Sequence, residues 1–337
     1  MNRSLSLYLD IVRPLAALLV LLSHIGLPQI SGQLKSFSNA GSQAVNVFFV
    51  LSGFVIAHVC ATRESTLRQY AIARAARIYS VAIPALILTF ILDFMGILIH
   101  SAVYSEGYQP FSLFLLIRSI FFLGEQWGVH RYPGSNSPYW SLGFEVWYYV
   151  AFGAFVFSGW LAAMAVLLFI GPKVAIMFPL WLMGVAVYHL CGKWKMARSV
   201  GWLCFICPLC LITLYESILH VYMQAFMPLS IHRVPSLAQD YFIGLMFSAH
   251  LFGVATLSDR FAPLLEAYER PIRWIAGATF SVYLIHLPIM HFLVALTHGA
   301  FPIAGTVALT VLLCFVFAQF TERKKHVWKS ALERMAA

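Results

Sequence analysis

Charged side chains are scarce in this chain. Of its 337 residues only 10% are Asp, Glu, Lys or Arg, and 13 of them carry a carboxylate. An average soluble domain has roughly 25% charged residues, so a water-soluble fold is excluded for most of the chain. Hydrophobic residues make up 61% of the sequence and the mean hydropathy is +0.81. Lipid is therefore the expected surroundings of most of the protein.

A second cysteine pair that could complete a metal site is also lacking. The six cysteines lie in or beside apolar segments, and Cys207 and Cys210 frame the sequence CPLC without a second pair or a histidine at ligand spacing. We interpret the cysteines as small apolar side chains and expect no metal site. The first apolar run, 15–22, is followed by Ser-His and not by a small-residue cleavage site, which argues against a cleavable signal peptide.

Long apolar runs make up most of the sequence. A helix needs about 20 mostly apolar residues to cross a bilayer, and the sequence predicts an all-α polytopic membrane protein with about ten spans. These lie near 6–28, 42–61, 80–101, 138–157, 160–172, 174–192, 199–220, 240–257, 274–296 and 302–321. The run 111–124 is shorter and carries Arg118 at its centre, so we expect an interfacial or re-entrant helix. We expect a single membrane domain over 1–337 without an attached soluble domain.

The basic residues predict the orientation. With the N-terminus inside, 16 of the 22 Lys and Arg residues lie in inside segments. The outside segments hold Lys35, Arg118, Arg131, Lys173 and Arg233. Cytoplasmic segments carry the excess of Lys and Arg in membrane proteins, so both termini are predicted to be cytoplasmic. The net charge of +9 is then explained by topology and anionic lipid, and nucleic acid is not expected as a partner.

Ionisable residues inside apolar runs are costly, and each is a functional candidate by default. Arg13 and His24 lie eleven residues apart in the first span, which places them on one helix face about 16 Å apart along the axis. Arg13 could instead form an i,i+3 pair with Asp10 and extend to the interface. His24 could be a buried histidine bonded to a neighbouring backbone group.

Two arginines and a glutamate form further candidates. Arg74 and Arg77 stand at the inside end of the third span, where they either anchor the helix or form a fork for phosphate groups. Glu145 lies about two turns into the fourth span, where a carboxylate must be protonated or partnered. Trp140 and its aromatic neighbours fit an interfacial belt. His286 lies near the middle of the ninth span and is either packed and hydrogen-bonded or functional.

Five sequence elements, in order along the chain, resemble the acyltransferase-3 family of integral membrane O-acyltransferases. They are LDIVRPLAALLVLLSH with Asp10, Arg13 and His24; VFFVLSGFVIA with Phe48, Phe49, Ser52, Gly53 and Phe54; ARAARIY with Arg74 and Arg77; YWSLGFEVWYY with Trp140, Ser141, Leu142 and Glu145; and SVYLIHLP with Ser281, Tyr283, His286 and Pro288. Three positions depart from the family pattern. Ser23 and Asn46 stand where the family often has Asp, and Ser80 stands where Pro is usual.

The resemblance implies transfer of an acyl group, often acetyl, from cytosolic acyl-CoA to a hydroxyl, commonly on a carbohydrate of a glycan or glycolipid. It also implies the bacterial cytoplasmic membrane. Many family members carry an extra extracytoplasmic hydrolase-like domain. Without one, this chain is expected to act alone, as a homo-oligomer, or with a separate partner that receives the acyl group. The segments 102–137 and 221–239 are expected to shape the acceptor side.

The expected roles follow from the resemblance and from side-chain chemistry. His24 is the candidate general base, and Glu145 is the candidate second catalytic group, orienting the histidine or exchanging protons. Arg13 would stabilise developing negative charge or hold the donor, and Arg74 and Arg77 would bind CoA phosphates. The remaining candidates for substrate binding are Trp140, Ser141, Tyr283 and His286.

Two other function classes are compatible with the same residues. A proton-coupled transporter also buries His, Glu and Arg in many spans, although it usually has internal repeats or broken helices, and the sequence has no evident repeat. A membrane scaffold or polymer-export helper is the third class. It would tolerate alanine at His24 and Glu145 together.

Overall fold

The computed structural model describes residues 1–31, 40–194, 196–215 and 237–335. In these ranges the chain is helical, and its only extended pairing is an isolated bridge between Gln109 and Gly134. The α-helices are α1 (Arg3–Ile25), α2 (Ala40–Thr62), α3 (Leu67–His100), α4 (Leu113–Ile120), α5 (Leu142–Ser158), α6 (Trp160–Ile170), α7 (Pro172–Lys193), α8 (Arg198–Leu214), α9 (Leu237–Ala267), α10 (Glu269–Ala276), α11 (Thr279–Thr297), α12 (Ile303–Phe320) and α13 (Lys325–Met335).

The helices have the lengths and composition of membrane spans. Eight helical stretches in the described ranges are long and apolar enough to cross a bilayer, and α6 and α8 are shorter apolar helices. The predicted all-α, polytopic architecture is confirmed. Helix α4 has eight residues, about 12 Å, and is too short to cross, as expected for 111–124. Lys35, Lys195, Arg233, the end of the predicted 199–220 span and most of 221–239 lie outside the described residues.

Helix α3 is much longer than the span predicted at 80–101. It has 34 residues and begins at Leu67, where the Thr66 side chain accepts a hydrogen bond from the Gln69 amide. At 1.5 Å per residue it is about 51 Å long, well beyond the ~30 Å of a hydrocarbon core. The hydropathy pattern marks only its apolar part. Arg74 and Arg77 therefore lie on the same continuous helix as that part, in its first three turns.

Glycines allow α2 and α7 to approach very closely. A Cβ atom on Gly53 would lie 1.9 Å from the Trp181 carbonyl oxygen, and one on Gly184 would lie 1.9 Å from the Val50 carbonyl oxygen. Small residues bring membrane helices together in this way, because little hydrophobic driving force exists between helices in lipid. Gly53 therefore has a packing role, whereas its neighbour Ser52 faces the site described below.

Helix α11 is the most enclosed element. Fifteen of its 19 residues are buried, and it packs against α1, α3 and α12. The span predicted at 274–296 was wrong in its first turns, because the chain breaks at Gly277 into α10 and α11. Glu322, which follows α12, caps the new helix start by accepting hydrogen bonds from the Phe280 and Ser281 amides. Such a cap satisfies amides that a helix N-terminus leaves unpaired.

Candidate active site

A cavity of about 300 Å³ with charged and apolar side chains in its wall lies among α1, α2, α3, α5, α11 and the chain around α10 and α13. Its ionisable lining residues are Asp10, Arg13, Arg77, Glu145, Arg273, Glu322, Arg323 and Lys325. Hydroxyl groups of Ser52, Ser141, Tyr149, Thr279 and Tyr283 line it as well. Five cations and three carboxylates give an excess of positive charge. A cavity with this lining is suited to an anionic ligand.

Arg13 is fixed at the cavity by α1 itself. Its Nη1 donates to Asp10 Oδ1 at 3.1 Å, so the i,i+3 pair considered from the sequence is formed. The other carboxylate oxygen of Asp10 accepts from Arg273 Nη1 at 3.0 Å. Asp10 thus orients two guanidinium groups that both line the cavity. The pair does not remove Arg13 from the site, because a guanidinium carries five N–H donors.

Glu145 is a partnered carboxylate. Its Oε1 accepts from Ser52 Oγ at 3.0 Å and from the Tyr149 hydroxyl, and it interacts electrostatically with Arg13 and Arg77. Two hydroxyl donors and two cations offset the cost of burying a charge. The requirement for a partner, stated from the sequence, is met by side chains on α1, α2, α3 and α5.

The two arginines of α3 do not form one fork. Arg74 Nη2 donates to Glu64 Oε1 at 2.6 Å, and its guanidinium lies 5.4 Å from the centre of the Tyr70 ring. Burial raises the pKa of Glu64, and Arg74 opposes that shift. Arg77 lines the cavity, and its guanidinium has no hydrogen-bond or ion-pair partner among the described residues. Arg74 is therefore engaged by a carboxylate, while Arg77 remains available to a ligand.

Ser141 and Tyr283 meet at the far wall of the cavity. The Tyr283 hydroxyl donates to Ser141 Oγ at 2.7 Å, and Ser141 Oγ donates to the Pro138 carbonyl at 3.2 Å. Trp140 is different, because it does not line the cavity in the described structure and packs edge-to-face on Phe144 at 5.3 Å. Its contact with substrate, expected from the sequence, stays a prediction.

The two candidate histidines contact each other. His24 Nδ1 and His286 Nε2 lie 2.9 Å apart. His286 Nδ1 lies 2.9 Å from both the Val282 and Tyr283 carbonyl oxygens. Carbonyl oxygens only accept, so Nδ1 of a neutral His286 carries the proton and its Nε2 is an acceptor. His24 Nδ1 must then donate, which leaves the lone pair of His24 on Nε2.

At position 23, where the family often has Asp, Ser23 packs against α2. Ser23 Oγ donates to the Val20 carbonyl at 2.7 Å. A Cβ atom on Gly41 of α2 would lie 2.2 Å from Ser23 Oγ. Ser23 thus packs tightly against α2 and gives His24 no carboxylate. At the second departure, Asn46 Nδ2 donates to Asp240 Oδ1 at 2.8 Å inside the protein, so α9 supplies a carboxylate there.

The structure does not show the contact between Glu145 and His24 that was expected to orient the histidine. His24 is hydrogen-bonded to His286, whereas Glu145 is bonded to Ser52 and Tyr149. Arg13 and His24 share one side of α1, since Arg13 lines the cavity with Tyr283 and His24 contacts His286, both on α11. The cavity reaches Tyr283, one helical turn before His286.

Several cavity residues were missed by sequence reasoning. They are Arg273, Glu322, Arg323, Lys325 and Tyr149. The basic ones were counted only as positive-inside residues, because their sequence neighbourhood gives no other signal. Glu322 had a usable signal, since it is an isolated carboxylate directly after an apolar run.

A second, more open groove of about 780 Å³ lies between α4 and residues 127–131. Arg118, His130 and Arg131 line it beside aromatic rings. Beside the groove, the carboxylate of Glu125 is buried and contacts two basic side chains. Its Oε1 lies 2.7 Å from His130 Nδ1, and its Oε2 pairs with Lys173 Nζ. This ion pair ties 102–137 to the start of α7, so Lys173 has a structural partner.

The structure thus defines a multi-pass membrane protein in which the pair of His24 and the buried His286 adjoins a cation-rich cavity. The model of the acyltransferase-3 family, an acyltransferase domain, matches residues 6–319. The chain belongs to this family and is a membrane acyltransferase, which confirms the resemblance found in the sequence. Searches of curated proteins and of solved structures found no match.

Proposed function

We propose that the protein is an O-acyltransferase that moves an acyl group, most simply acetyl, from cytosolic acyl-CoA to a hydroxyl of a carbohydrate or glycolipid. The bacterial cytoplasmic membrane is its proposed location. The observation that carries the proposal is the His24 Nε2 lone pair, fixed by His286, beside a cavity with excess positive charge.

The cations of the cavity are assigned to the binding of acyl-CoA, the acyl donor. CoA carries a pyrophosphate and a further phosphate, and guanidinium groups bind phosphate through paired N–H donors. Arg77 and Lys325 line the cavity without an ion-pair partner in the described part of the chain. Arg13 and Arg273 share Asp10 and retain further donors. Arg74 supports this site through the fold, because Glu64 engages it.

The reaction then needs one base and a place for developing charge. The acceptor hydroxyl transfers its proton to His24 Nε2 as its oxygen attacks the thioester carbonyl. The new C–O bond forms, the C–S bond breaks, and the CoA thiolate leaves and takes up a proton. To donate to the carbonyl oxygen that becomes negative, the Tyr283 and Ser141 hydroxyls on the cavity wall would turn from their partners in this structure, Ser141 Oγ and the Pro138 carbonyl.

Mass spectrometry of surface glycans and glycolipids tests the proposal. Cells with the gene deleted would be complemented with the wild type, with His24→Ala, and with His189→Ala, an exposed histidine of α7. An ester mass should disappear on deletion and return with the wild type and His189→Ala only. An ester that returns equally with His24→Ala, at matched protein abundance, would refute the role of His24. Equal ester levels with and without the gene would contradict acyl transfer.

A further inference from the structure

The groove between α4 and residues 127–131 is lined by basic side chains that lack acidic partners. Arg118, His130 and Arg131 line it, and no carboxylate of the described chain does. Arg131 is exposed, and its guanidinium has no partner among the described residues. Arg118 donates from Nε to the Leu123 carbonyl at 2.9 Å, which leaves both of its Nη groups without a partner in that part of the chain. The groove therefore offers two guanidinium groups to an anion.

A carboxylate beside the groove is already neutralised. Glu125 is fully buried, and its Oε2 pairs with Lys173 Nζ while its Oε1 contacts His130 Nδ1. Because Lys173 balances this buried charge, Glu125 does not offset the charge of the two arginines. The groove keeps an excess of positive charge, which favours an anionic occupant.

The wall of the groove is held in place before any ligand binds. The Trp127 indole donates from Nε1 to the Phe169 carbonyl at 2.8 Å. The Arg131 amide donates to the Gly124 carbonyl at 2.9 Å, which closes the loop that carries both Trp127 and Arg131. A wall that is already ordered loses little conformational freedom when a ligand binds, so a larger share of the contact energy becomes affinity.

Helix α4 joins this groove to a surface suited to lipid. Its eight residues are too few to cross a bilayer, and Leu113, Phe114 and Ile117 are large, exposed apolar side chains on it. A short helix of this composition lies along a membrane with its apolar side among the acyl chains. Phe114 also lines the groove, and the Arg118 guanidinium lies 5.2 Å from the centre of its ring. The cations and the lipid-facing surface therefore meet, and an anion borne by a lipid can contact both.

We propose that this groove binds the phosphate of an anionic membrane lipid, whose acyl chains lie along the apolar side chains of α4. Arg118 and Arg131 contact the phosphate through their N–H donors, and the Trp127 and Tyr108 rings flank the headgroup. A zwitterionic lipid carries a cation beyond its phosphate, which the two arginines repel, so a headgroup without a cationic part is favoured. The groove shares no lining residue with the cavity that adjoins His24, and the proposal does not depend on acyl transfer.

The experiment measures lipid binding by the full chain purified in detergent. A fluorescent phosphatidylglycerol is the probe, and unlabelled phosphatidylglycerol, phosphatidylcholine and inorganic phosphate are the competitors in separate arms. The variants are Arg131→Gln, Arg118→Gln and the two combined, with Arg131→Lys as the conservative variant. Arg260→Gln is the matched control, because it removes an exposed arginine of α9 that does not line the groove. Thermal unfolding is measured for each variant.

Wild-type protein should bind phosphatidylglycerol at least about tenfold more tightly than phosphatidylcholine, since the arginines attract one headgroup and repel the cation of the other. Affinity for phosphatidylglycerol should fall about five- to tenfold in Arg131→Gln and further in the combined variant, as expected for lost charge-assisted hydrogen bonds. Arg131→Lys should retain part of the affinity, and Arg260→Gln should stay within about twofold of wild type. Inorganic phosphate should displace little of the probe, because it lacks the acyl chains.

Three results would overturn the proposal. If wild type and the combined variant bind phosphatidylglycerol equally, the two arginines do not form the site. If Arg260→Gln weakens binding as much as Arg131→Gln, the lipid responds to the overall charge and not to this groove. If inorganic phosphate displaces the probe as readily as unlabelled phosphatidylglycerol, the groove binds free phosphate and the lipid assignment is wrong. A failure of acyl transfer in a protein with normal lipid binding would bear on the proposed function alone.

Discussion

The His24 Nδ1 and His286 Nε2 atoms lie 2.9 Å apart although 262 residues separate them in sequence. His286 acts on His24 as a positioning residue. His286→Leu should lower kcat about 10- to 100-fold, by analogy with the range found when a group that orients a metal-ligating imidazole is removed. His286→Gln should retain more activity, because its amide oxygen can accept from His24 Nδ1. The check is a kcat and KM comparison for both variants. Equal kcat in wild type and His286→Leu would exclude this orienting role.

Arg77 and Arg74 should differ although they are one turn apart. Arg77→Gln removes a cation that faces the cavity, so the KM for acyl-CoA should rise about tenfold or more. Arg74→Gln breaks the pair with Glu64, so it should lower the unfolding temperature and leave that KM nearly unchanged. The measurements are donor titrations and thermal unfolding in detergent. A larger donor KM in Arg74→Gln than in Arg77→Gln would contradict this assignment.

Glu145→Gln removes the negative charge of this side chain and keeps its shape. The amide keeps hydrogen-bonding capacity toward Ser52 and Tyr149 but leaves Arg13 and Arg77 without this carboxylate. The cavity becomes more positive, so acyl-CoA should bind as tightly or more tightly. If Glu145 exchanges protons during the reaction, kcat should fall about 10²-fold or more. Ser52→Ala is the control that keeps the carboxylate. A weaker donor affinity in Glu145→Gln would show that the glutamate itself contributes to binding.

Gly53→Ala tests the close contact between α2 and α7. The added Cβ would lie 1.9 Å from the Trp181 carbonyl oxygen, so the helices must separate. Overpacking of this kind typically costs about 1–3 kcal/mol. Gly192→Ala in α7 is the matched control, because a Cβ on Gly192 would extend into open space. Thermal unfolding should detect a loss in the first variant alone. Equal unfolding temperatures would mean that the helix pair adjusts freely.

Glu269 on α10 should make the fold sensitive to acid. Hydrogen bonds from Arg3 and Arg273 lower its pKa to about 2. Because the folded pKa lies below the unfolded value of about 4.3, this stabilisation is present above that value and is lost as pH falls towards 2. Solvent screens the pair, so the effect should be small. Unfolding temperatures at pH 5 and pH 3 should fall less in Glu269→Gln than in wild type. If the unfolding temperature falls equally in both proteins, Glu269 does not contribute to the loss of stability in acid.

The helices were predictable because membrane spans leave a direct mark on composition. The extension of α3 to Leu67 was not, because its first turns are polar and hydropathy marks only the part that lipid surrounds. The family motifs located His24, Glu145, Arg77 and His286 in the sequence. They did not indicate that His286, and not Glu145, contacts His24, since that choice depends on how α1 packs against α11.

The arginines illustrate the same limit. A spacing of three residues places Arg74 and Arg77 near one another on α3, but Glu64 lies in the turn before that helix and draws Arg74 away from the cavity. Lys325 and Arg323 had the sequence context of ordinary inside anchors and nevertheless line the site. In each case the deciding contact is tertiary, and no local pattern encodes it.

The short helix α6 has a consequence for the surrounding membrane. Its eleven residues span about 16 Å, roughly half of a ~30 Å hydrocarbon core, and Gly159 and Gly171 at its ends have positive φ and turn the chain. Large apolar side chains of α6, such as Leu161 and Leu168, are exposed to the surroundings. Lipids beside them must thin or tilt to cover this face. Acyl-chain length of the host bilayer is therefore a physical variable for this enzyme, acting on the side of the molecule where α5 joins α7 through α6.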